Sequence, residues 1–307
     1  MSEEQQKVLD QFKEWIQTNK VTENPWLNDV QLLKFCRARN FDMDKVIEMF
    51  KNYIEYRNEN DLDNIVNNFV FEKKNEVNQF YPRGYCGVDK IGRPIYIERS
   101  GQIKPSKIWP LCDEETLFKS YYQSYEVLIK QHFMVCSYIQ QKQIQQTFSI
   151  LDMTGFSISM MNKQVYSLVQ KASKISQDYY PEQLGQLMIC NAPMLFTGVW
   201  TVIKVWLDER TREKIQILGG GYTKKLLEYV DEDQLIDFLG GKNTAKLEDD
   251  QGPWNDYEIV DGAKPDDVVG IKKKGEDAVC FTPGDLLKLP NYKQSTTAQG
   301  KEEESKE

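Results

Sequence analysis

Thr147-Phe148-Ser149-Ile150-Leu151-Asp152-Met153 is the stretch on which the fold turns, and it reads as a strand. A helical spacing follows it, with Val165, Leu168, Val169, Ala172 and Ile175 on one face. Gln186 to Asn191 is then a second strand, Leu195 to Leu207 a helix, and Lys214 to Leu218 a third strand. Upstream, Arg93 to Arg99 reads as a strand opened by a proline. A long helical pattern runs from Leu117 through Phe118, Tyr121, Tyr125, Leu128, Ile129 and Val135 to Ile139. Asp113, Glu114 and Glu115 supply its cap and a favourable first-turn charge. Leu226 to Val230 and Gln234 to Leu239 read as short helices. Strands separated by helices predict an α/β fold with a mostly parallel sheet.

The flanks differ from this core. The first quarter carries three helical faces: Val8, Leu9, Phe12, Trp15 and Ile16; then Leu32, Leu33 and Cys36; then Val46, Ile47, Phe50, Tyr53 and Ile54, capped by Asp42. Lys34, Arg37 and Arg39 are expected to pair with acidic groups on neighbouring elements. The chain therefore divides into a helical module over residues 1–65, an α/β lobe over 66–245 and an extension over 246–307. In that extension Ala278 to Phe281 is strand-like, and the polar end from Gln294 is expected to be disordered.

At 307 residues, one large domain or two modest ones fit, and 40% hydrophobic content supplies a core. With 39 basic and 47 acidic side chains the net charge is -8, which argues against a nucleic-acid partner. The one histidine, His132, removes chemistry that needs a histidine pair, metal sites included. Lying between Leu128 and Val135, it reads as a satisfied buried imidazole. The six cysteines form no CxxC pair, and the polar N-terminus has no signal-peptide character, so a reducing, cytoplasmic setting is expected. The most apolar stretch, Ala192 to Leu207, contains Pro193 and Lys204 and falls short of the ~20 residues a membrane span needs.

Catalytic motifs fail in turn. Gly155-Phe156-Ser157-Ile158-Ser159 lacks the second glycine of a nucleophile elbow. Gly240-Gly241-Lys242-Asn243 fails as a phosphate loop. Gly219-Gly220-Gly221 has the wrong spacing for a dinucleotide site and reads as a turn into a helix that Thr223 caps. Asp152 ends a strand without an evident catalytic partner and reads as a turn cap. A scaffold with a cleft and no catalytic set points to a binding module instead of an enzyme, and a lipase-like enzyme is disfavoured.

Leu32-Leu33-Lys34-Phe35-Cys36-Arg37-Ala38-Arg39-Asn40-Phe41-Asp42 resembles the signature of the CRAL-TRIO lipid-binding family. Phe80-Tyr81-Pro82, Asp89-Lys90-Ile91-Gly92-Arg93-Pro94-Ile95-Tyr96 and Ile150-Leu151-Asp152-Met153-Thr154-Gly155 extend the likeness. So do Gln177-Asp178-Tyr179-Tyr180-Pro181-Glu182, Ile189-Cys190-Asn191-Ala192-Pro193 and Phe238-Leu239-Gly240-Gly241. Order and spacing fit from about Gln31 to Gly241. The branch it is most similar to is that of the phosphatidylinositol/phosphatidylcholine transfer proteins.

The resemblance implies a CRAL-TRIO fold: a mixed, mostly parallel sheet flooring a hydrophobic pocket for one phospholipid, a mobile helix over it, and no enzymatic role. It places phosphocholine readers at Tyr85, Tyr96, Tyr125, Thr147 and Ser149. Tyrosine faces attract a quaternary ammonium, and hydroxyls bond a phosphate. Thr147 and Ser149 share one strand face by period two. Tyr121 and Tyr122 are expected to be ordinary core residues.

Phosphoinositide readers match at Glu182, Thr211 and Lys214. Asn58 stands where that branch usually has a lysine after Arg57, which makes choline binding the firmer expectation. The gate is Leu195 to Leu207, with Phe196, Val199, Trp200, Ile203 and Trp206 on its apolar stripe and Gly198 and Gly219 to Gly221 as hinges. The implied cofactor is none beyond bound phospholipid, and the implied state is a cytoplasmic monomer with transient peripheral membrane contact. The implied work is exchange of phosphatidylcholine and phosphatidylinositol and presentation of the inositol lipid to phosphoinositide kinases. The alternative on this fold is a carrier of a sterol, tocopherol or haem.

Overall fold

The computed structural model describes residues 1–261 and 269–290, so the polar end from Gln294 lies outside the described residues. Three capped helices open the chain. Helix α1 (Glu3–Thr18) starts at a capping box in which Ser2 and Gln5 satisfy each other's backbone N–H. Helix α2 (Asp29–Ala38) is capped by Asn28, and α3 (Met43–Glu59) by the Asp42 carboxylate, which accepts from the Lys45 backbone N–H. Their apolar faces meet in one cluster. Phe50 meets Phe12 and Phe35 edge-on, with ring centres 5.0 and 5.2 Å apart.

Lys34 of α2 is buried where α2 meets the rest of the chain. Its ammonium lies 5.3 Å from the Phe133 ring centre and 3.4 Å from the Gln145 carbonyl oxygen. Burial lowers its pKa to about 7, against the pull of Glu182. As pH rises through 7 the folded chain releases this proton before the unfolded one does, so the cost of burying the charge, full below 7, disappears by the ordinary lysine pKa. Lys34→Met is therefore expected to gain most over the parent at low pH. Its stability advantage should shrink by on the order of 4 kcal/mol between pH 6 and pH 10 in paired denaturant titrations. Parallel curves would contradict this.

The long central helix is two helices. α4 (Glu114–Val127), capped by Asp113, passes through a π turn at Leu128–His132 into α5 (Phe133–Gln140). The sequence pattern reads straight through this extra residue, which helical spacing does not register.

The main sheet runs in the order β1 (Arg83–Val88), β2 (Pro94–Glu98), β3 (Thr147–Asp152), β4 (Leu184–Cys190), β5 (Ile215–Ile217). β1 is antiparallel to β2, and the remaining pairs are parallel. The expected mixed, mostly parallel sheet is thus present. Period two divides its side chains. Ile95, Ile97, Phe148, Ile150, Met188 and Cys190 bury one face against α9 (Tyr222–Tyr229), reached after α6 (Lys163–Asp178), α7 (Phe196–Ile203) and α8 (Glu209–Glu213). The opposite face bears the candidate site. Thr223 does not cap α9: Gly221, at φ +79, holds the cap position, and the Thr223 hydroxyl donates to the Leu239 carbonyl.

The extension packs onto this lobe. Gly84 is required where it arrives, because a Cβ there would stand 2.0 Å from the Leu247 carbonyl oxygen. A second sheet, β6 (Tyr257–Asp261), β7 (Val269–Lys273) and β8 (Val279–Phe281), is antiparallel and lies against α5 through Tyr138, whose ring centre is 6.0 Å from that of Tyr257 and 5.8 Å from that of Phe281.

Candidate functional site

A cavity of about 1280 Å³ lies over the free face of the main sheet. Its floor is a cross-strand row fixed by register. Tyr85 on β1 pairs with Tyr96 on β2, Tyr96 with Ser149 on β3, Ser149 with Leu187 on β4, and Leu187 with Ile215 on β5. The row is polar on the first three strands and aliphatic on the last two. The walls come from α4, from α6 and from α7 with the short turn Lys204–Trp206 that continues it.

Every residue the sequence nominated lines this one cavity: Tyr85, Tyr96, Tyr125, Thr147 and Ser149; Glu182, Thr211 and Lys214; Phe196, Val199, Trp200, Ile203 and Trp206. At the polar end the Thr147 and Ser149 hydroxyls are 3.1 Å apart and buried. Tyr85 and Tyr96 meet edge-on at 5.3 Å. Tyr125 stacks on Tyr180 at 4.3 Å and shares a hydrogen bond of 2.8 Å with the Ser176 hydroxyl. Burial pushes the phenols of Tyr85 and Tyr96 well up and that of Tyr125 to about 12, which keeps them protonated donors.

At the rim, Lys214 reaches Glu182 at 3.1 Å. Glu182 sits at φ +57, a backbone conformation that costs a non-glycine residue energy and recurs at functional positions. The Thr211 hydroxyl donates to Asp208 at 3.0 Å, closing the cap of α8. Asn58 and Arg57 stand elsewhere: Asn58 is exposed on α3, and Arg57 is buried among Tyr53, Asp63 and Glu126. Neither residue is among those that line the cavity. Arg39 and Arg210 do line it, and the Arg210 guanidinium donates to the Arg37 carbonyl and the Asn40 side chain and lies 3.8 Å from Glu182.

The α7 wall is split. Phe196 and Val199 are buried and face the cavity with Trp200 and Ile203, whereas Leu195 and Val202 point outward. Met194 and Leu195, just before α7, are 93% and 68% exposed, and Val205, just after it, is exposed as well. Among the described residues no helix is long and apolar enough to cross a membrane.

Two further expectations change. His132 is fully buried, stacked on Trp254 at 4.1 Å with Asp250 at 3.4 Å, but neither ring nitrogen makes a hydrogen bond among the described residues, so the imidazole is not satisfied. Tyr121 lines the cavity, while Tyr122 is core as expected and packs edge-on against Tyr56. Asp152 caps its turn, accepting from the Thr154 backbone and hydroxyl and from Asn191. Tyr81 and Arg83 also line the polar end and were missed. Arg83 is two residues before Tyr85, so recognising β1 as a strand would have placed both on one face.

A family model described as CRAL/TRIO domain matches residues 78–241, and one described as CRAL/TRIO, N-terminal domain matches residues 6–52. The chain is 36% identical over 256 residues to a Sec14 cytosolic factor of Schizosaccharomyces pombe, covering 82% of this chain and 88% of that one. It is 37% identical over 262 residues to the phosphatidylinositol/phosphatidylcholine transfer protein SFH9 of Arabidopsis thaliana, covering 82% and 45%. To SFH12 of the same plant, which carries the same description, it is 32% identical over 306 residues, covering 98% and 55%. The chain thus spans about half the length of these plant relatives. Among solved structures it is similar to Sfh5, with a TM-score of 0.65 and 18% identity, covering 81% of this chain and 91% of that one.

Proposed function

Because the chain belongs to the CRAL/TRIO family, we propose that it binds one phosphatidylcholine or phosphatidylinositol molecule in this cavity and exchanges it with membranes. The observation that carries the proposal is the cross-strand row, polar from Tyr85 to Ser149 and aliphatic from Leu187 to Ile215. Each CH₂ moved out of a bilayer costs about 0.8 kcal/mol unless an equally apolar surface receives it. The aliphatic half, with Phe196, Val199 and Ile203 above it, supplies that surface. The polar half receives the headgroup: the Thr147 and Ser149 hydroxyls suit a phosphate, and the faces of Tyr85, Tyr96 and Tyr125 suit a choline. Glu182, Thr211 and Lys214, with Arg210, form a second set at the rim suited to the hydroxyls of an inositol ring.

In this proposal α7 is the gate. The exposed side chains that flank it, Met194 and Leu195 before it and Val205 after it, enter the lipid surface, and its movement uncovers the aliphatic floor. An inositol headgroup held at the rim is open to a kinase. The work is binding and transfer, with no covalent step. Native lipid mass spectrometry of the purified protein tests the proposal, with a glycerophospholipid as the expected ligand. A single sterol hydroxyl makes poor use of the polar row, which favours phospholipid over the sterol alternative.

A further inference from the structure

The polar end of the cavity contains a cation that the choline assignment does not use. Arg83 points from β1 into the corner lined by Tyr81 and Tyr121, and its guanidinium carbon stands 4.2 Å from the centre of the Tyr81 ring and 4.6 Å from that of Tyr121. Paired aromatic faces at this spacing are a cation slot. Here the chain's own guanidinium fills it. Nη2 donates to the Ser120 hydroxyl at 2.8 Å, whereas Nη1 is buried without an acceptor among the described residues. Trp109 lines the same cavity, and its indole N–H is likewise buried and unpartnered.

Glu98, the carboxylate of this corner, is committed to three hydroxyls. It accepts from Tyr81 at 3.0 Å, from Tyr96 at 3.1 Å and from Ser100 at 2.7 Å, and makes no ion pair with Arg83 among the described residues. Buried N–H donors nearly always have acceptors in native proteins, and a charged donor gains most from an anionic one. The unpaired Arg83 Nη1–H calls for an acceptor oxygen other than those of Glu98, which are held by three hydroxyls.

Resting on the lipid-exchange reading above, we propose that Arg83 sets the headgroup class. Its Nη1–H takes a phosphate oxygen of the bound lipid, and its charge in the Tyr81–Tyr121 slot repels a quaternary ammonium. The cavity then favours anionic phospholipids, with a hydroxylated headgroup such as inositol, over zwitterionic choline lipid. Like charges brought together away from water repel strongly, which gives the discrimination its size.

The test offers the full chain equimolar phosphatidylinositol and phosphatidylcholine in vesicles and quantifies the lipid taken up. The parent should favour the inositol lipid, Arg83→Gln should move the ratio toward choline lipid by about tenfold, and Arg83→Lys should keep the parent's preference. A parent that favours choline lipid overturns the inference without any variant, as does an unchanged ratio in Arg83→Gln. Uptake of neither lipid overturns the exchange reading, and this inference with it. Thermal stabilisation by inorganic phosphate that depends on Arg83, with the lipid ratio unmoved, overturns the assignment to lipid in favour of a free anion.

Discussion

Replacing Glu126 by alanine is expected to destabilise the folded protein by about 3 to 5 kcal/mol. Glu126 is 1% exposed on α4 and accepts from both terminal nitrogens of Arg57, at 2.8 and 3.2 Å. It also accepts from the Tyr180 hydroxyl at 3.2 Å and lies 3.3 Å from the Lys130 ammonium. Arg57 is 4% exposed on α3 and further bonded to Tyr53 and Asp63. Burial alone works against its charge, but the surrounding Tyr53, Glu126 and Asp63 outweigh that and hold it charged. Without Glu126 two buried cations lose their shared counter-charge, and the arginine cannot escape by deprotonating. The pair joins the N-terminal helices to the α/β lobe, so the loss should appear in one cooperative urea transition, with Glu126→Gln intermediate. A shift below about 1 kcal/mol, the level of a surface pair, would show that the network contributes little.

Converting Thr147 to valine together with Ser149 to alanine is expected to cut phospholipid binding at least 100-fold while leaving the fold intact. A hydrogen bond to a charged acceptor is worth about 1.5 to 3 kcal/mol, so two on one phosphate give about 3 to 6 kcal/mol. The protein itself loses little, because the hydroxyls bond chiefly to each other at 3.1 Å and both partners are removed together. Titration with a fluorescent phospholipid, beside a thermal melt, reads both effects. Unchanged affinity would remove the phosphate from this end of the floor and favour a ligand that has none.

Much of this architecture was legible from local pattern. β3, β4 and the helices between strands announce themselves by period two and by helical spacing, and Thr147 and Ser149 fall on one face from sequence alone. β1 escaped because Arg83-Gly84-Tyr85-Cys86-Gly87-Val88 contains two glycines, one held by close approach to Leu247 and one at φ +74, which no local signal reveals. With β1 unread, the place of Arg83 between two tyrosines was invisible. The same limit hid the Arg57–Glu126 pair, whose partners lie 69 residues apart. β6 and β7 went unread because their apolar runs are short and gain their burial only when Tyr257 and Ile271 join the main core cluster.

The central claim is that this cavity carries one phospholipid with its phosphate over β1 to β3. Lipid mass spectrometry of the purified full-length chain tests it most directly. The account predicts a single glycerophospholipid per protein chain, with inositol lipid prominent. A sterol, a tocopherol, a haem, or protein free of any lipid would contradict it.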